Sequence, residues 1–183
     1  MELINTSMPD LFIIKPRVYS DSRGWFMESW NKKEMDSKGV PYDFVQDNQS
    51  FSVDKGVLRG LHCQIGNAVQ AKLVRCVKGS VLDVVVDLRV SSPTYKKWFS
   101  VELSADNKLQ LLIPRGFAHE FLTLTEDVEF LYKTDNFYSQ DNERGILWND
   151  DDIGIEWGIE SPILSEKDRQ APKLMESGVF YQY

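Results

Sequence analysis

The stretch LVRCVKGSVLDVVVDLR, residues 73–89, is the strongest indication of fold in this chain. It contains two runs rich in β-branched residues, separated by a turn at Lys78 and Gly79. In the second run one face carries Leu82, Val84, Val86 and Leu88. The other face carries Asp83, Val85 and Asp87. Alternation with a period of two residues is typical of β-strands, so we predict two strands here.

Most of the remaining chain has the same short, strand-like pattern. Further runs are WFSVELS at 98–104, QLLIPRGF at 110–117, HEFLTLT at 119–125 and VEFLYKT at 128–134. Turn residues separate them at SSPT, SADN and TED. Only two short helical pieces are predicted: Asn31 caps KKEMDSK before Gly39, and SEKDRQAPKL forms a helical turn. The pattern predicts one all-β domain over residues 1–183, as a sandwich, jelly roll or barrel.

Composition and charge argue against several classes of function. A chain of 183 residues has the length of one domain, and no apolar run approaches the roughly 18 residues that a membrane helix needs. The formal net charge of −7 argues against nucleic-acid or membrane-surface binding, although local cations can still bind a small anion. No signal peptide is visible, and Cys63 and Cys76 form no CxxC pair. We therefore expect a cytoplasmic protein with buried, reduced thiols.

The segment VLRGLHCQ, residues 57–64, places two polar side chains in a strand-like run. In a regular strand Arg59 and His62 face opposite sides, and a lone histidine of this kind is more often a structural residue. Gly60 lies between them and is a natural position for a β-bulge. Because a bulge would turn both side chains into one cavity, a structural and a functional interpretation both remain open.

His119 follows a glycine turn in IPRGFAHEF, where the structural interpretation is a turn into a strand. The pattern PxGxxH also resembles the second motif of the cupins, whose small barrels often hold a metal. Yet the chain has only two histidines, and its first segment reads His62-Cys63-Gln64 where a metal cupin reads HxH. Since neutral imidazoles are the usual metal anchors, we predict a barrel without metal.

Acid–base chemistry is available to the polar residues that remain. An imidazole exchanges protons near neutral pH and is a better base when a carboxylate orients it. Tyr132, in EFLYKT, is either a core aromatic or a general acid. Lys72, in QAKLVR, is either an exposed edge lysine or a functional cation.

Several segments together resemble the dTDP-4-dehydrorhamnose 3,5-epimerase family. They are SDSRGWFMESW, FVQDNQS, KGVLRGLHCQ, AKLVRCVKGSVLDVVVDLRVSSPTY, LSADNKLQLLIPRGFAHEF, EFLYKT and ILSEKD, in order from about residue 4 to about residue 172. The resemblance implies a cupin-type double-stranded β-helix jelly roll and a homodimer that needs no metal or cofactor. It also implies a dTDP-linked 4-keto-6-deoxyhexose as substrate, in the synthesis of dTDP-L-rhamnose for cell-surface polysaccharides.

The resemblance also implies roles for individual residues. His62 is the base, Asp168 orients it and supplies charge, Tyr132 is the acid on the opposite face of the sugar, and Lys72 stabilises the enolate. The implied contacts to the nucleotide sugar are Arg23, Glu28, Gln46, Asn48, Arg59, Lys72, His119, Tyr138, Glu143 and Lys167. In the family part of the nucleotide pocket comes from the neighbouring protomer, and Arg23 and Glu28 are our candidates for that part.

Three positions depart from the family pattern. Cys63 stands where an aromatic residue is common, Glu120 replaces a small residue in GFAHGF, and the loop GNAVQAK is slightly longer than usual. We expect these changes to bear on the edge of the pocket, hence on the choice of sugar. Three alternatives stay open: a single-centre epimerase of a related sugar, a non-catalytic sugar-binding cupin, and a metal-dependent cupin enzyme.

Overall fold

The structure is a computed structural model that describes residues 1–182, in which fifteen strands and two short helices are present. The strands are β1 Glu2–Asn5, β2 Phe12–Lys15, β3 Val18–Asp21, β4 Gly24–Met27, β5 Gln46–Ser52, β6 Leu58–Gln64, β7 Lys72–Lys78, β8 Ser80–Asp87, β9 Arg89–Val90, β10 Trp98–Ser104, β11 Gln110–Ile113, β12 Phe117–Thr123, β13 Val128–Thr134, β14 Glu143–Gly145 and β15 Tyr181–Gln182. The helices are α1 Lys32–Ser37 and α2 Glu166–Arg169. Single 3₁₀ turns occur at Gly66–Ala68, Gln140–Asn142 and Leu174–Glu176.

Two antiparallel sheets form the body of the fold. One has six strands in the order β1-β2-β11-β7-β13-β5, and the other has five in the order β10-β8-β12-β6-β14. Neighbouring strands are mostly distant in sequence, as jelly-roll connections require. Side chains from both sheets, among them Val74, Val85, Phe121 and Phe130, share one buried cluster. The predicted all-β, cupin-type jelly roll with short peripheral helices is confirmed.

The turn between the two decisive strands moves the chain from one sheet to the other. β7 belongs to the six-stranded sheet and β8 to the five-stranded one, so these strands do not pair as a hairpin. Gly79 has φ +75°, and a Cβ there would lie 2.5 Å from the hydroxyl oxygen of Thr125. Glycine is therefore required by both the backbone conformation and the available space.

Both faces of β8 are buried, which explains its unusually apolar sequence. Val81 and Val85 face the core between the sheets, whereas Val84 and Val86 face outward. The outward face is covered by residues 146–180, which we call the C-terminal cover. Its buried apolar side chains are Ile146, Ile153, Trp157, Leu174 and Val179. Asp83 lies on the inward face and is completely buried.

Both predicted helical pieces are confirmed. The side chain of Asn31 accepts a hydrogen bond from the amide of Glu34 at the start of α1, and the helix ends before Gly39, whose φ is +78°. Ser165 caps α2 in the same manner, through the amide of Asp168. In residues 1–182 no helix combines the length and apolar character needed to span a membrane.

Candidate active site

A cavity of about 620 Å³ opens between the sheets and the middle part of the C-terminal cover. Strands β5, β6, β12 and β13 line it, together with residues 163–168. Eleven of the thirteen sequence-predicted site residues line this one cavity. They are Gln46, Asn48, Arg59, His62, Lys72, His119, Tyr132, Tyr138, Glu143, Lys167 and Asp168.

The predicted bulge in β6 is present and aims Arg59 and His62 into this cavity. On β12, His119 pairs with His62 and Phe121 with Arg59, so two steps on β12 match three on β6. The extra residue lies at Gly60, whose φ is +138°. A Cβ at Gly60 would come within 2.6 Å of the Glu120 Cβ and the His119 carbonyl oxygen. The functional interpretation of the segment is the one the geometry supports.

His62 is paired with Asp168 across more than a hundred residues of sequence. Its Nε2 lies 2.6 Å from Asp168 Oδ1, and the Ser165 hydroxyl donates to Asp168 Oδ2 at 2.8 Å. Burial alone would raise the pKa of Asp168, but the hydrogen bonds from His62 and Ser165 outweigh it and hold that pKa below its usual value. The His62 side chain is 30% exposed, so its ring can meet a ligand in the cavity.

A second histidine–aspartate pair lies deeper in the fold. Nε2 of His119 lies 2.9 Å from Oδ2 of Asp83, and His119 also stacks against Phe130. Burial raises the pKa of Asp83, although His119 and Lys72 oppose the shift. Asp83 is absent from the sequence-based predictions. The available signal was a carboxylate inside the apolar run VLDVVV, on the same strand face as Val85.

Lys72 and Tyr132 both line the cavity. Burial lowers the pKa of Lys72, against the charges of Cys63, Asp83 and Glu143. Burial raises the pKa of Tyr132, and Glu143 adds to the shift. Within residues 1–182, neither the Lys72 ammonium nor the Tyr132 hydroxyl has a hydrogen-bond partner. Both groups are therefore available to a substrate.

The opposite part of the cavity is rich in polar groups that hold one another. Glu143 accepts a hydrogen bond from the Tyr138 hydroxyl at 3.0 Å and forms an ion pair with Lys167 at 2.5 Å. Burial would raise the pKa of Glu143, but these two contacts keep it below its usual value. Gln46 donates to Asn48 and accepts from the Tyr138 amide. Such a cluster of donors and acceptors suits a nucleobase and a diphosphate.

Arg23 and Glu28 lie outside this cavity, at the β3–β4 hairpin. The Arg23 guanidinium pairs with Asp21 at 2.7 Å, and Glu28 accepts from Asn31. The same hairpin exposes 57% of Trp25 and 66% of Phe26. Neither Arg23 nor Glu28 therefore serves the cavity of its own chain.

The three departures have different surroundings. Cys63 lines the cavity, as does Gln70 at the end of the longer loop. Our expectation that Glu120 bears on the pocket edge is wrong, because β12 turns its side chain to the outward face, where it is fully buried. Both cysteines are buried and unpaired, and burial raises the pKa of each thiol. Among residues 1–182, no cluster of three or more His, Cys, Asp and Glu side chains is arranged to hold a metal.

A jelly roll with a histidine–aspartate pair, a tyrosine and a partly buried lysine in one cavity has the arrangement of an acid–base cupin. A family model for dTDP-4-dehydrorhamnose 3,5-epimerase matches residues 5–176, and the chain belongs to this family. A curated relative from Shigella flexneri, dTDP-4-dehydrorhamnose 3,5-epimerase, is 54% identical over 98% of this chain and 99% of its own.

Solved structures agree with this assignment. The dTDP-6-deoxy-D-glucose-3,5-epimerase of Legionella pneumophila, in complex with dTDP-4-keto-L-rhamnose, is 41% identical with a TM-score of 0.93. It covers 100% of this chain, which covers 98% of that one. ChmJ, a 3'-monoepimerase from Streptomyces bikiniensis in complex with dTDP-quinovose, is 32% identical with a TM-score of 0.86. That match covers 93% of this chain and 86% of the other.

Proposed function

We propose that this chain epimerises C3 and C5 of dTDP-4-dehydro-6-deoxy-D-glucose to give dTDP-4-dehydro-L-rhamnose, on the route to dTDP-L-rhamnose and cell-surface polysaccharide. The observation that carries the proposal is the convergence of the His62–Asp168 pair, Lys72 and Tyr132 on one cavity. These groups supply a base, a cation and an acid, which are the three parts that proton transfer next to a ketone requires.

The C4 ketone acidifies the protons on C3 and C5, because loss of either gives an enolate. His62 takes the proton from one face of the sugar, and the Asp168 carboxylate stabilises the imidazolium that forms. The Lys72 ammonium stabilises the negative charge on O4. Tyr132 then delivers its hydroxyl proton to the opposite face of the same carbon, and solvent restores both groups. No electron is gained or lost, so the chemistry is complete with the chain's own residues.

The direct test is incubation with dTDP-4-dehydro-6-deoxy-D-glucose in deuterated water, followed by NMR at C3 and C5 separately. Deuterium at both centres with inverted configuration is the expected result. Label at one centre only would support a single-centre epimerase, the second candidate, which the structural likeness to ChmJ keeps in view. No label at either centre would exclude both enzymes.

The variant Tyr132→Phe separates the acid from the base. It removes one hydroxyl that has no partner among residues 1–182, so packing beside Phe130 should survive. His62 can still exchange a proton on the face from which it takes it. We expect deuterium exchange with retained configuration to outrun epimerisation, which should fall by 10²-fold or more. Normal epimerisation by Tyr132→Phe would assign the acid to another group.

The proposal also includes a homodimer in which Arg23 and Glu28 enter the partner's cavity. The support is their position on a hairpin with exposed aromatic residues, away from the cavity of their own chain. Arg23→Ala and His62→Ala chains should each be inactive alone. Mixed and re-formed as dimers, they should regain about a quarter of wild-type activity, since half the dimers then hold one complete site. No recovery would place Arg23 outside the shared site.

A further inference from the structure

Glu120 is a buried carboxyl group that the proposed chemistry does not use. On the outward face of β12 it lies between Ala118 and Leu122, and its partner on β8 is Val84. The C-terminal cover closes over this apolar layer with Ile146 and Trp157. Within residues 1–182 neither carboxyl oxygen of Glu120 has a hydrogen-bond partner. An unpartnered acid in such a layer is costly to keep, and more so when it is charged.

The position of Glu120 connects it to the reacting residues through the bulge. The absent side chain of Gly60 leaves the β6 backbone directly against the Glu120 Cβ. On the same strand, α2 contacts β6 and brings Asp168 to His62. Glu120 is therefore adjacent to the strand that carries His62, and it is close enough to Asp168 to sense the charge of that carboxylate.

The groups that face Glu120 leave it uncharged at neutral pH. The facing side chains on β6 and β8, such as Leu58, Leu61 and Val84, are apolar. Burial, together with the negative charge of Asp168, raises the pKa of Glu120 to about 9. If the cover lifts, Glu120 meets water and regains an ordinary acidity.

We propose that Glu120 is a positioning residue whose protonation holds the C-terminal cover, and with it Asp168, against the sheet. Loss of its proton favours lifting of the cover, because a carboxylate is tolerated only when the layer opens. This inference rests on the proposed function where it takes Asp168 as the partner of the base. The predicted opening of the C-terminal cover does not depend on which reaction the protein catalyses.

The difference in the pKa of Glu120 between the closed and the open state determines how opening of the cover should depend on pH. The closed state holds the proton up to about pH 9, whereas the open state releases it near 4.5, the ordinary pKa of a glutamate. The equilibrium constant for opening should therefore rise about tenfold per pH unit between those values and level off above pH 9. A glutamine at this position carries no proton to lose, so its opening should not depend on pH in this way.

Amide hydrogen exchange measures this opening directly. The amides of Ile146 and Ile163 donate to the carbonyl oxygens of Leu61 and Gly56, so they join the cover to β6 and its approach. After correction for intrinsic exchange, their opening constants in the wild type should rise about a hundredfold from pH 6 to pH 8. In Glu120→Gln, and in Glu120→Met as a second variant, the opening constants should stay flat.

Two controls make the test specific. Glu102→Gln makes the same chemical change on the exposed side of β10 and should retain the wild-type pH dependence. The amide of Met35, inside α1, should open without pH dependence in every variant, since that helix opens without uncovering Glu120. Equal pH dependence in the wild type and both Glu120 variants would overturn the proposal. Titration of the Glu120 carboxyl below pH 7, seen by carbon NMR, would overturn it too.

A kinetic measurement tests the link to His62 separately. The alkaline limb of kcat/KM should lie at higher pH in Glu120→Gln than in the wild type, because the cover stays closed. Lys72 and Tyr132 titrate in both proteins and cancel in the comparison. A pH-linked opening with an unchanged limb would show that the cover moves without moving Asp168. Complete absence of turnover in both proteins would instead reject the proposed function and leave the exchange result standing.

Discussion

The molecule contains two histidine–aspartate pairs, which differ in their exposure, in the partners of the carboxylate and in the direction of its pKa shift. In the first pair, His62 Nε2 lies 2.6 Å from Asp168 Oδ1, the His62 side chain is 30% exposed, and Ser165 also donates to the Asp168 carboxylate. In the second pair, His119 Nε2 lies 2.9 Å from Asp83 Oδ2, the His119 side chain is 8% exposed, and Asp83 is fully buried. The pKa of Asp168 is lowered, whereas that of Asp83 is raised.

The difference shows how surroundings assign roles to the same two side chains. Asp168 has hydrogen bonds that favour its charged form, so it can stabilise an imidazolium through a catalytic cycle. Asp83 keeps one oxygen without a partner within residues 1–182, so it is suited to fixing the His119 ring in place. We expect the first pair to act in proton transfer and the second in binding. The following predictions test this division in order of expected effect on turnover.

Removing the exposed histidine should have the largest effect. His62→Ala should lower kcat by about 10³-fold or more, because it removes the proposed base. Nucleotide binding, measured by calorimetry with dTDP, should change little. The matched variant His119→Ala should weaken binding more than it slows turnover. Retention of a tenth of wild-type activity by His62→Ala would remove that residue from the role of base.

Neutralising the aspartate of the exposed pair should have the next effect. Asp168→Asn preserves shape but removes the charge that stabilises His62 as imidazolium. We expect kcat to fall about a hundredfold with KM nearly unchanged, the pattern of an interaction made in the transition state. Steady-state kinetics at several substrate concentrations give both constants. A collapse of KM with kcat intact would make Asp168 a binding residue.

The same change in the buried pair should act on binding. Asp83→Asn leaves the His119 ring without its charged partner, so we expect KM to rise about tenfold and kcat to change less. Calorimetry with dTDP should show the same loss. A hundredfold loss of kcat, equal to that of Asp168→Asn, would erase the division between the pairs and give Asp83 a part in proton transfer.

The two pairs were not equally predictable from sequence. The alternation in residues 81–89, the turns and the Asn31 cap determine the strands and the first short helix locally, and these agree with the structure. The His62–Asp168 contact came from family resemblance, because nothing local joins residues so far apart. Asp83 was passed over because strand alternation gives a side chain's face but not what covers that face. Glu120 was assigned to the pocket edge for the same reason, since the cover over β12 comes from tertiary packing.

The smallest effect on turnover near neutral pH, and the sharpest on stability, is expected from Glu120→Gln. The folded protein holds the Glu120 proton with a pKa of about 9, against 4.5 for an ordinary glutamate. Ionisation of Glu120 therefore takes nothing from the free energy of unfolding below about pH 4.5. As pH rises from there toward 9, that free energy declines by about 1.4 kcal/mol per pH unit, because unfolding releases the proton. At pH 7 the wild type should have lost about 3 kcal/mol in this way.

Glu120→Gln escapes that loss, so the difference in free energy of unfolding should grow steadily in favour of the variant from pH 5 to pH 8. Urea unfolding at fixed protein concentration measures it, with Glu102→Gln as the control whose difference from wild type should stay constant. A difference that does not change with pH would mean that Glu120 is charged in the folded protein, and that Asp168 shares its surroundings with a second carboxylate.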